Sequence, residues 1–195
     1  MFVVGIGGTL RRNSTSAWAV KHALSVLKSS GSETQFFDGH EINLEMYDPG
    51  QRVRSPKAMT LIDALRRCDG LVVASPGYHG SISGLVKNAL DYAEDLRDDP
   101  LPYFDGRPVG CIACAAGWQA AHGTLVALRA VTHALRGWPT PIGVTINSSA
   151  PAFDANGNCL DPAVAAALSL MSQQILDFAS RSGRSKAQNT LEIAG

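Results

Sequence analysis

The sequence predicts an α/β fold in which a doubly wound parallel sheet of five strands carries helices on both faces. Apolar runs of strand length alternate with segments of helical period, which is typical of a parallel sheet wrapped by helices. The chain has 195 residues, about the size of one domain, and shows no internal repeat or Pro/Gly/Ser-rich linker. We therefore expect one domain over residues 1–181. Residues 182–195 contain few large apolar side chains and are expected to form a mobile tail.

The first third of the chain predicts two strands on either side of an amphipathic helix. The apolar run 2–6 is the first strand and the shorter run 34–37 is a weaker second strand. Between them, residues 13–28 carry a stripe of apolar side chains at helical spacing: Ala17, Val20, Leu24 and Leu27. The irregular stretch around Asp48-Pro49-Gly50 is predicted to be a loop.

Two helix starts are indicated by a capping residue followed by proline. Ser55 is a favourable N-cap, Pro56 suits the first helical position, and residues 58–67 continue that helix. Asp161 and Pro162 open the last helix, whose apolar residues recur at helical spacing: Val164, Leu168, Met171, Ile175 and Phe178.

The middle of the chain predicts strands at 71–74, 109–115 and 141–146, separated by helices at 83–96 and 120–135. Both helices have apolar faces broader than packing against one side of a sheet requires. We therefore expect a homodimer, or a homotetramer built from dimers, that pairs these helices with their symmetry copies. The alternative is that both faces are buried within a single chain.

Composition excludes several classes of function. Hydrophobic residues make up 45% of the chain and charged residues 17%, which indicates a folded globular protein. The 17 basic residues balance the 17 acidic residues, so no basic surface field is expected to hold a nucleic acid. No apolar run approaches the roughly 18 residues of a membrane span, and the N-terminus lacks the features of a signal peptide. A cytoplasmic location is expected.

The cysteines predict neither a disulfide framework nor a metal site. Cys111 and Cys114 form a C-x-x-C pattern inside the apolar run 109–116, where residues three apart point to opposite faces of a strand. No second C-x-x-C or pair of histidines completes a zinc site. Buried free thiols are the expected state.

Three glycine-rich loops follow the first, third and fourth strands, and ligands of open α/β sheets bind at such loops. The first, Gly7 to Ser16, combines small residues, Arg11, a helix N-terminus and the hydroxyls of Thr9, Ser14 and Ser16, so it predicts a phosphate-binding loop. A dinucleotide fingerprint starting at Gly5 fails because Leu10 stands where the last glycine is needed. The loop also lacks the Gly-Lys-Ser/Thr of a P-loop, and an ordinary capped turn is the alternative.

The second and third loops could hold a planar ligand between them. The second, Ser75 to Gly84, offers Pro76 and Tyr78 as a wall, while Gly77 and Gly80 leave backbone amides unobstructed. Ile82, rather than serine, lies at the centre of Gly80-Ser81-Ile82-Ser83-Gly84, so no nucleophile elbow is present. The third loop, 116–123, approaches the same region.

These loops resemble those of the NADPH-dependent FMN reductase family of flavodoxin-like flavoproteins. The family pattern Gly-Ser-x-Arg-x-x-Ser is similar to Gly8-Thr9-Leu10-Arg11-Arg12-Asn13-Ser14. A longer pattern, Thr-Pro-Glu-Tyr-Asn-Gly-Ser-x-Pro-Gly-x-x-Lys-Asn-Ala-Leu-Asp, is similar to the segment from Ser75 to Asp91. The resemblance extends over about residues 1–180 and implies a flavodoxin-like fold.

The resemblance also implies the residues of an FMN site. The phosphate would be bound by Thr9, Arg11, Ser14 and Ser16. The ring and ribityl chain would be lined by Pro76, Gly77, Tyr78, His79, Gly80 and Ser81, with Gly117 approaching from the third loop. Two departures stand in the second loop, where Gly77 replaces the usual Glu and His79 the usual Asn. They bear on substrate choice and flavin affinity.

The predicted function is an NAD(P)H-dependent oxidoreductase that transfers a hydride from NADPH or NADH to FMN, with no catalytic side chain and no metal. The alternatives are a quinone or azo-compound reductase on the same fold, a flavodoxin-like electron carrier, and a binding protein without redox activity. The expected partner is a small-molecule acceptor or a flavin-using enzyme. Arg12, Arg52 and Arg54 could each meet the 2′-phosphate of NADPH, and their spacing does not select one.

Overall fold

A parallel sheet forms the centre of the computed structural model, which describes residues 1–181. Its strands are β1 (Phe2–Gly7), β2 (Glu33–Phe37), β3 (Gly70–Tyr78), β4 (Ser81–Ile82), β5 (Pro108–Ala115), β6 (Trp138–Pro139) and β7 (Val144–Asn147). The helices are α1 (Thr15–Ser29), α2 (Pro56–Arg67), α3 (Gly84–Asp91), α4 (Trp118–Ala134) and α5 (Pro162–Arg181), with a 3₁₀ helix at Tyr92–Leu96. The predicted tail at 182–195 lies outside the described residues.

The strand order is β2-β1-β3-β5, followed by β6 and β7, which both pair with β5. All pairs are parallel except that of β3 with β4. From β1 the chain goes first to β2 on one side and later to β3 on the other, so the topological switch point lies between β1 and β3. The predicted doubly wound α/β fold is therefore confirmed.

The sheet has seven strands rather than the predicted five, because two short strands are added. One is β4, a two-residue strand that pairs with the end of β3 in an antiparallel hairpin. The predicted strand 141–146 begins only at Val144, since Pro141 has no N–H and the N–H of Ile142 donates to Gln174 Oε1 at 2.9 Å. Two short strands, β6 and β7, therefore pair with β5 where the sequence predicted one fifth strand.

Two clusters of buried side chains cover the two faces of the sheet. One contains Val4 and Val73 with residues of α2 and α3, and the other contains Val3 and Val72 with residues of α1 and α5. This alternation within β1 and β3 is the period of a strand buried on both faces. Among residues 1–181, no helix is both long enough and apolar enough to cross a membrane.

The C-x-x-C cysteines lie on opposite faces of β5, as the strand period predicts. Cys111 belongs to the first cluster and Cys114 to the second, and both are free thiols. Burial raises the pKa of Cys111 to about 11 and that of Cys114 to about 12. Both thiols are therefore protonated at neutral pH, and the prediction of buried structural cysteines is confirmed.

The predicted helix starts are also confirmed. Ser55 Oγ accepts a hydrogen bond from the N–H of Ala58 at 3.4 Å, and Pro56 is the first residue of α2. Asp161 Oδ1 accepts from the N–H of Ala163 at 2.8 Å at the start of α5. The single helix predicted at 83–96 is instead α3 followed by the 3₁₀ helix.

The broad apolar face of segment 83–96 is covered by the chain itself. Its apolar side chains are buried in the first cluster: Val86, Ala89, Leu90, Tyr92, Ala93 and Leu96. The inference that this face requires a symmetry copy is therefore wrong. The sequence showed the width of the face but not that α2 packs against the 3₁₀ helix.

Candidate active site

A cleft of about 710 Å³ opens at the carboxyl edge of the sheet, beside the switch point between β1 and β3. It is bounded by the loop after β1, the end of β3, the start of α3, the end of β5 and the loop after β7. Seven of the predicted site residues line this cleft: Thr9, Arg11, Ser14, Ser16, Pro76, Gly77 and Tyr78. The other four, His79, Gly80, Ser81 and Gly117, do not.

The N-terminus of α1 supplies backbone donors to one end of the cleft. Ser14 is the N-cap, and its Oγ accepts from the N–H of Ala17 at 3.3 Å and lies 3.3 Å from Ser16 Oγ. Both hydroxyls are buried and engaged in shaping the helix start. The N–H groups of Thr15 and Ser16 have no acceptor within the helix, and both residues line the cleft. This end is suited to an anion.

Arg11 extends from the same loop. Thr9 Oγ1 accepts from the N–H of Arg11 at 3.1 Å and is 3.2 Å from the Arg11 carbonyl, so this hydroxyl fixes the turn that carries the arginine. Gly8 and Asn13 have positive φ values of 109° and 57° at the two ends of the turn. Within residues 1–181 the Arg11 guanidinium forms no ion pair, so its charge is available to a ligand.

The hairpin joining β3 to β4 explains the histidine that departs from the family pattern. His79 and Gly80 are its two turn residues, and both have positive φ, 51° and 88°. Tight hairpin turns of this kind favour Asn-Gly, and histidine is among the side chains that tolerate a positive φ. His79 is exposed at the tip of the hairpin, where its backbone forms the first turn position.

Gly77 has a packing role that the sequence did not show. A Cβ atom at Gly77 would lie 2.4 Å from Thr124 Oγ1 and 3.0 Å from Ala115 Cβ. Thr124 is fully buried on α4, and its hydroxyl lies 3.4 Å from the carbonyl oxygen of Ser81. The space that a side chain at position 77 would need is therefore filled by α4. Glycine is required here for packing, and not only for access to a ligand.

The second half of the long motif has a structural role. The N–H of Ser83 donates to Ser75 Oγ at 2.9 Å, which connects the end of β3 to the start of α3. Asn88 is buried; its Oδ1 accepts from the N–H of Tyr47 at 2.8 Å and its Nδ2 donates to the Glu45 carbonyl at 2.9 Å. These bonds position the wall of the cleft.

Gly117 begins α4 with a φ of 106°, and its N–H donates to Asn147 Oδ1 at 2.9 Å. Gly117 was expected to approach the flavin from the third loop, but the bond to Asn147 makes its amide unavailable to a ligand. The N–H groups in the first turn of α4 have no acceptor within the helix, and no side chain in residues 1–181 caps them. This turn follows Ala115 and Ala116, which form part of the cleft wall.

The loop after β7 contributes a residue that sequence analysis missed. Ser148 lines the cleft, and its N–H donates to the Ala115 carbonyl at 2.9 Å. The rule that ligands bind at the carboxyl ends of strands applies equally to this loop, but the loop is not rich in glycine as the other three are. Leu10 and Leu85 add apolar surface to the cleft.

Among the described residues, 1–181, the cleft contains no activated nucleophile and no metal centre. Cys114 lines it, but burial raises the pKa of its thiol to about 12. No group of three or more His, Cys, Asp or Glu side chains in residues 1–181 is arranged to hold a metal ion.

Residues 1–151 match the family model of the NADPH-dependent FMN reductases. The chain belongs to this family. The predicted resemblance and the prediction of an NAD(P)H-dependent flavin oxidoreductase are therefore confirmed, with FMN as the flavin and NADPH or NADH as the hydride donor.

Proteins with assigned activities are similar along most of the chain. An NAD(P)H-dependent FMN reductase from Pseudomonas aeruginosa is 30% identical over 160 residues, covering 82% of this chain and 84% of that protein. An FMN-dependent NADPH-azoreductase from Staphylococcus aureus is 28% identical over 140 residues, covering 64% and 71%. Among solved structures, the flavoenzyme NAD(P)H:(acceptor) oxidoreductase FerB from Paracoccus denitrificans shares the fold, with a TM-score of 0.75, 22% identity and coverage of 93% and 98%.

The cleft of this FMN reductase family member fits the cofactor. FMN joins a phosphate dianion to an apolar ring, and the cleft has a cationic, amide-rich end at the start of α1 and an apolar end formed by Pro76, Tyr78, Leu85 and Ala116. A volume of 710 Å³ lies within the ordinary range of cofactor sites.

Proposed function

We propose that this protein binds FMN in the cleft, with the phosphate at the N-terminus of α1, and reduces it with NAD(P)H. The observation that carries this proposal is that one loop combines the first-turn amides of α1, which have no acceptor within the helix, with Arg11, which forms no ion pair within residues 1–181. Bound FMN would supply the hydride chemistry, so the chain needs only to bind and orient its ligands.

Each part of the cleft has a separate task in this proposal. Arg11 and the N–H groups of Thr15 and Ser16 hold the phosphate. Pro76 and Tyr78 exclude water from the ring, and 53% of the Tyr78 surface remains exposed for contact with a ligand. The first-turn N–H groups of α4 favour negative charge at the ring edge. His79, Gly80 and Ser81 support the hairpin that carries Tyr78.

The activity is tested by following NADPH oxidation under anaerobic conditions with FMN, a quinone or an azo dye as acceptor, and with no acceptor as the control. We expect FMN-dependent oxidation above the control. Oxidation only when a quinone or azo dye is added to FMN-loaded protein supports the second candidate, which the azoreductase relative favours. Absence of both FMN binding and NADPH oxidation contradicts the proposal.

The electron-carrier alternative is less well supported. The formal net charge is zero, whereas short-chain flavodoxins are commonly acidic. A cytoplasmic location is part of the proposal, because Cys111, Cys114 and Cys159 are free thiols, as expected in a reducing compartment.

We further propose a homodimer, or a homotetramer built from dimers, that uses α4. Although α3 is covered within the chain, α4 exposes a stripe at four-residue spacing that is mostly apolar: Trp118, His122, Val126, Ala130 and Ala134. Trp118 is 62% and Val126 55% exposed. An apolar stripe of this kind is suited to pairing with a second copy.

Substitution of Val126 by Glu is expected to dissociate the assembly, because it places a charge at the centre of the stripe. Sedimentation equilibrium should change from a multiple of the 20.6 kDa chain mass to that mass itself. Leu170→Glu is the matched control, since Leu170 is 50% exposed on α5, and it should leave the mass unchanged. A wild-type protein that sediments at 20.6 kDa across micromolar concentrations contradicts the proposal.

A further inference from the structure

A second hollow, of about 400 Å³, lies next to the cleft and shares Thr9 and Arg11 with it. Its other walls are Arg12 from the same loop, Lys21 from α1, Phe36 from β2 and the turn 38–41 that follows β2. A ligand bound in the cleft could therefore extend past Arg11 into this hollow without crossing another element of the fold.

The two arginines of the hollow form no ion pair within residues 1–181, whereas its carboxylates accept hydrogen bonds from backbone N–H groups. Asp38 Oδ1 accepts from the N–H of His40 at 2.8 Å and of Glu41 at 3.0 Å. Glu41 Oε2 accepts in turn from the N–H of Asp38 at 2.9 Å. Neither Arg11 nor Arg12 forms an ion pair within the described part of the chain. The two guanidiniums are therefore available to an external anion.

Lys21 lines the same hollow as Arg11 and Arg12, and two aromatic rings restrict its side chain. Its Nζ lies 4.7 Å from the ring centroid of Trp18 and 5.7 Å from that of Phe36. These cation–π contacts restrict the side chain while leaving the ammonium donors free for a further partner. With Arg11, Arg12 and Lys21 against Asp38 and Glu41, the hollow has an excess of positive charge.

Arg52 and Arg54, the other two arginines that the sequence offered for the 2′-phosphate of NADPH, lie away from this hollow. Arg54 makes two hydrogen bonds to Asp95, at 2.7 and 2.8 Å, and only 8% of its side chain is exposed. Arg52 lines a separate hollow together with Arg54, and that hollow shares no residue with the cleft. Of the three, only Arg12 lines the hollow that adjoins the proposed flavin site.

We propose that this hollow binds the 2′-phosphate of NADPH, with Arg12 and Lys21 as its partners and Arg11 at its border with the cleft. The inference rests on the proposed function, in which FMN binds in the cleft and is reduced there by NAD(P)H. A phosphate monoester carries about two negative charges at neutral pH and matches the planar donor fork of a guanidinium. NADH lacks this group, so Arg12 would determine the preference for NADPH.

The direct test uses adenosine 2′,5′-bisphosphate as a probe of FMN-loaded protein, with adenosine 5′-monophosphate as the matched ligand without the 2′-phosphate. By calorimetry we expect the bisphosphate to bind more tightly to the wild type. Arg12→Ala should weaken the bisphosphate about 10- to 100-fold and leave the monophosphate unchanged. Arg52→Ala is the matched control, since its arginine is also exposed, and it should change neither.

The kinetic test compares the two hydride donors. In Arg12→Ala, kcat/KM should fall by a similar factor for NADPH and stay unchanged for NADH. Equal losses for both donors, or equal affinity of the wild type for the two adenosine ligands, overturn the inference. If no flavin binds and no NAD(P)H is oxidised, the proposed function fails instead. Titration of the flavin-free protein with the two adenosine ligands then still tests the hollow by itself.

Discussion

Replacement of Arg11 by Ala is expected to weaken FMN binding about 10- to 100-fold, because one charge-assisted phosphate contact contributes about 1.5–3 kcal/mol. Arg11 is exposed, forms no ion pair within residues 1–181 and lines the cleft, so its removal leaves no buried group unpaired. The change should therefore appear as lost affinity rather than lost stability. Quenching of flavin fluorescence during titration measures it.

Riboflavin provides the internal control for this prediction, because it has the ring and ribityl chain of FMN but no phosphate. Its affinity should be nearly the same in the wild type and in Arg11→Ala. Arg52→Ala, which removes an exposed arginine from a separate hollow, should affect neither ligand. If Arg11→Ala reduces riboflavin and FMN binding equally, the phosphate lies elsewhere.

Arg11→Lys separates charge from geometry at the same position. Lysine keeps the positive charge but loses the planar fork that binds two phosphate oxygens at once. We expect an affinity between those of the wild type and Arg11→Ala. An affinity equal to that of the wild type would show that Arg11 acts as a simple point charge.

Features encoded by neighbouring residues were predictable from the sequence. The caps at Ser55 and Asp161 act within their own first turns, and the buried alternation of β1 and β3 is visible in a few consecutive residues. The meeting of Thr9, Arg11, Ser14 and Ser16 at one end of the cleft was predictable for the same reason, since they share one loop.

Features that depend on distant residues were not predictable. The pairing of Arg54 with Asp95 joins positions 41 residues apart, and it decides which arginines remain free for a ligand. The bond from the Gly117 N–H to Asn147 likewise removes a donor that the local sequence offered. In both cases a strong local pattern is overruled by a tertiary contact that no spacing reveals.

Substitution of Gly77 by Val is expected to lower the free energy of unfolding by about 3 kcal/mol, the upper part of the usual range for overpacking a core. The Cβ would lie 2.4 Å from Thr124 Oγ1 and 3.0 Å from Ala115 Cβ, and valine adds two methyl groups beyond it. For a chain of 195 residues, about 3 kcal/mol corresponds to a Tm lower by roughly 6–12 °C. Thermal unfolding monitored by circular dichroism measures the change.

Two variants in the same loop serve as controls. Gly84→Ala should leave the Tm unchanged or slightly raised, because a Cβ at Gly84 meets no atom within 4 Å. His79→Asn should retain FMN and maintain or increase stability, because asparagine suits the positive φ of 51° at this turn position. A large loss in either control would mean that the loop tolerates no change, and the effect at Gly77 would then not be specific.

Thr124→Ala tests the physical cause, because it removes the hydroxyl that a side chain at position 77 would meet. Gly77→Ala carries only the Cβ, so its clash is chiefly with Thr124 Oγ1. The double variant Gly77→Ala/Thr124→Ala should then lose less stability than the sum of the single variants, by about 1 kcal/mol, as residues in direct contact do. Strictly additive losses would show that Gly77 is required for another reason, such as direct approach of its backbone to the flavin.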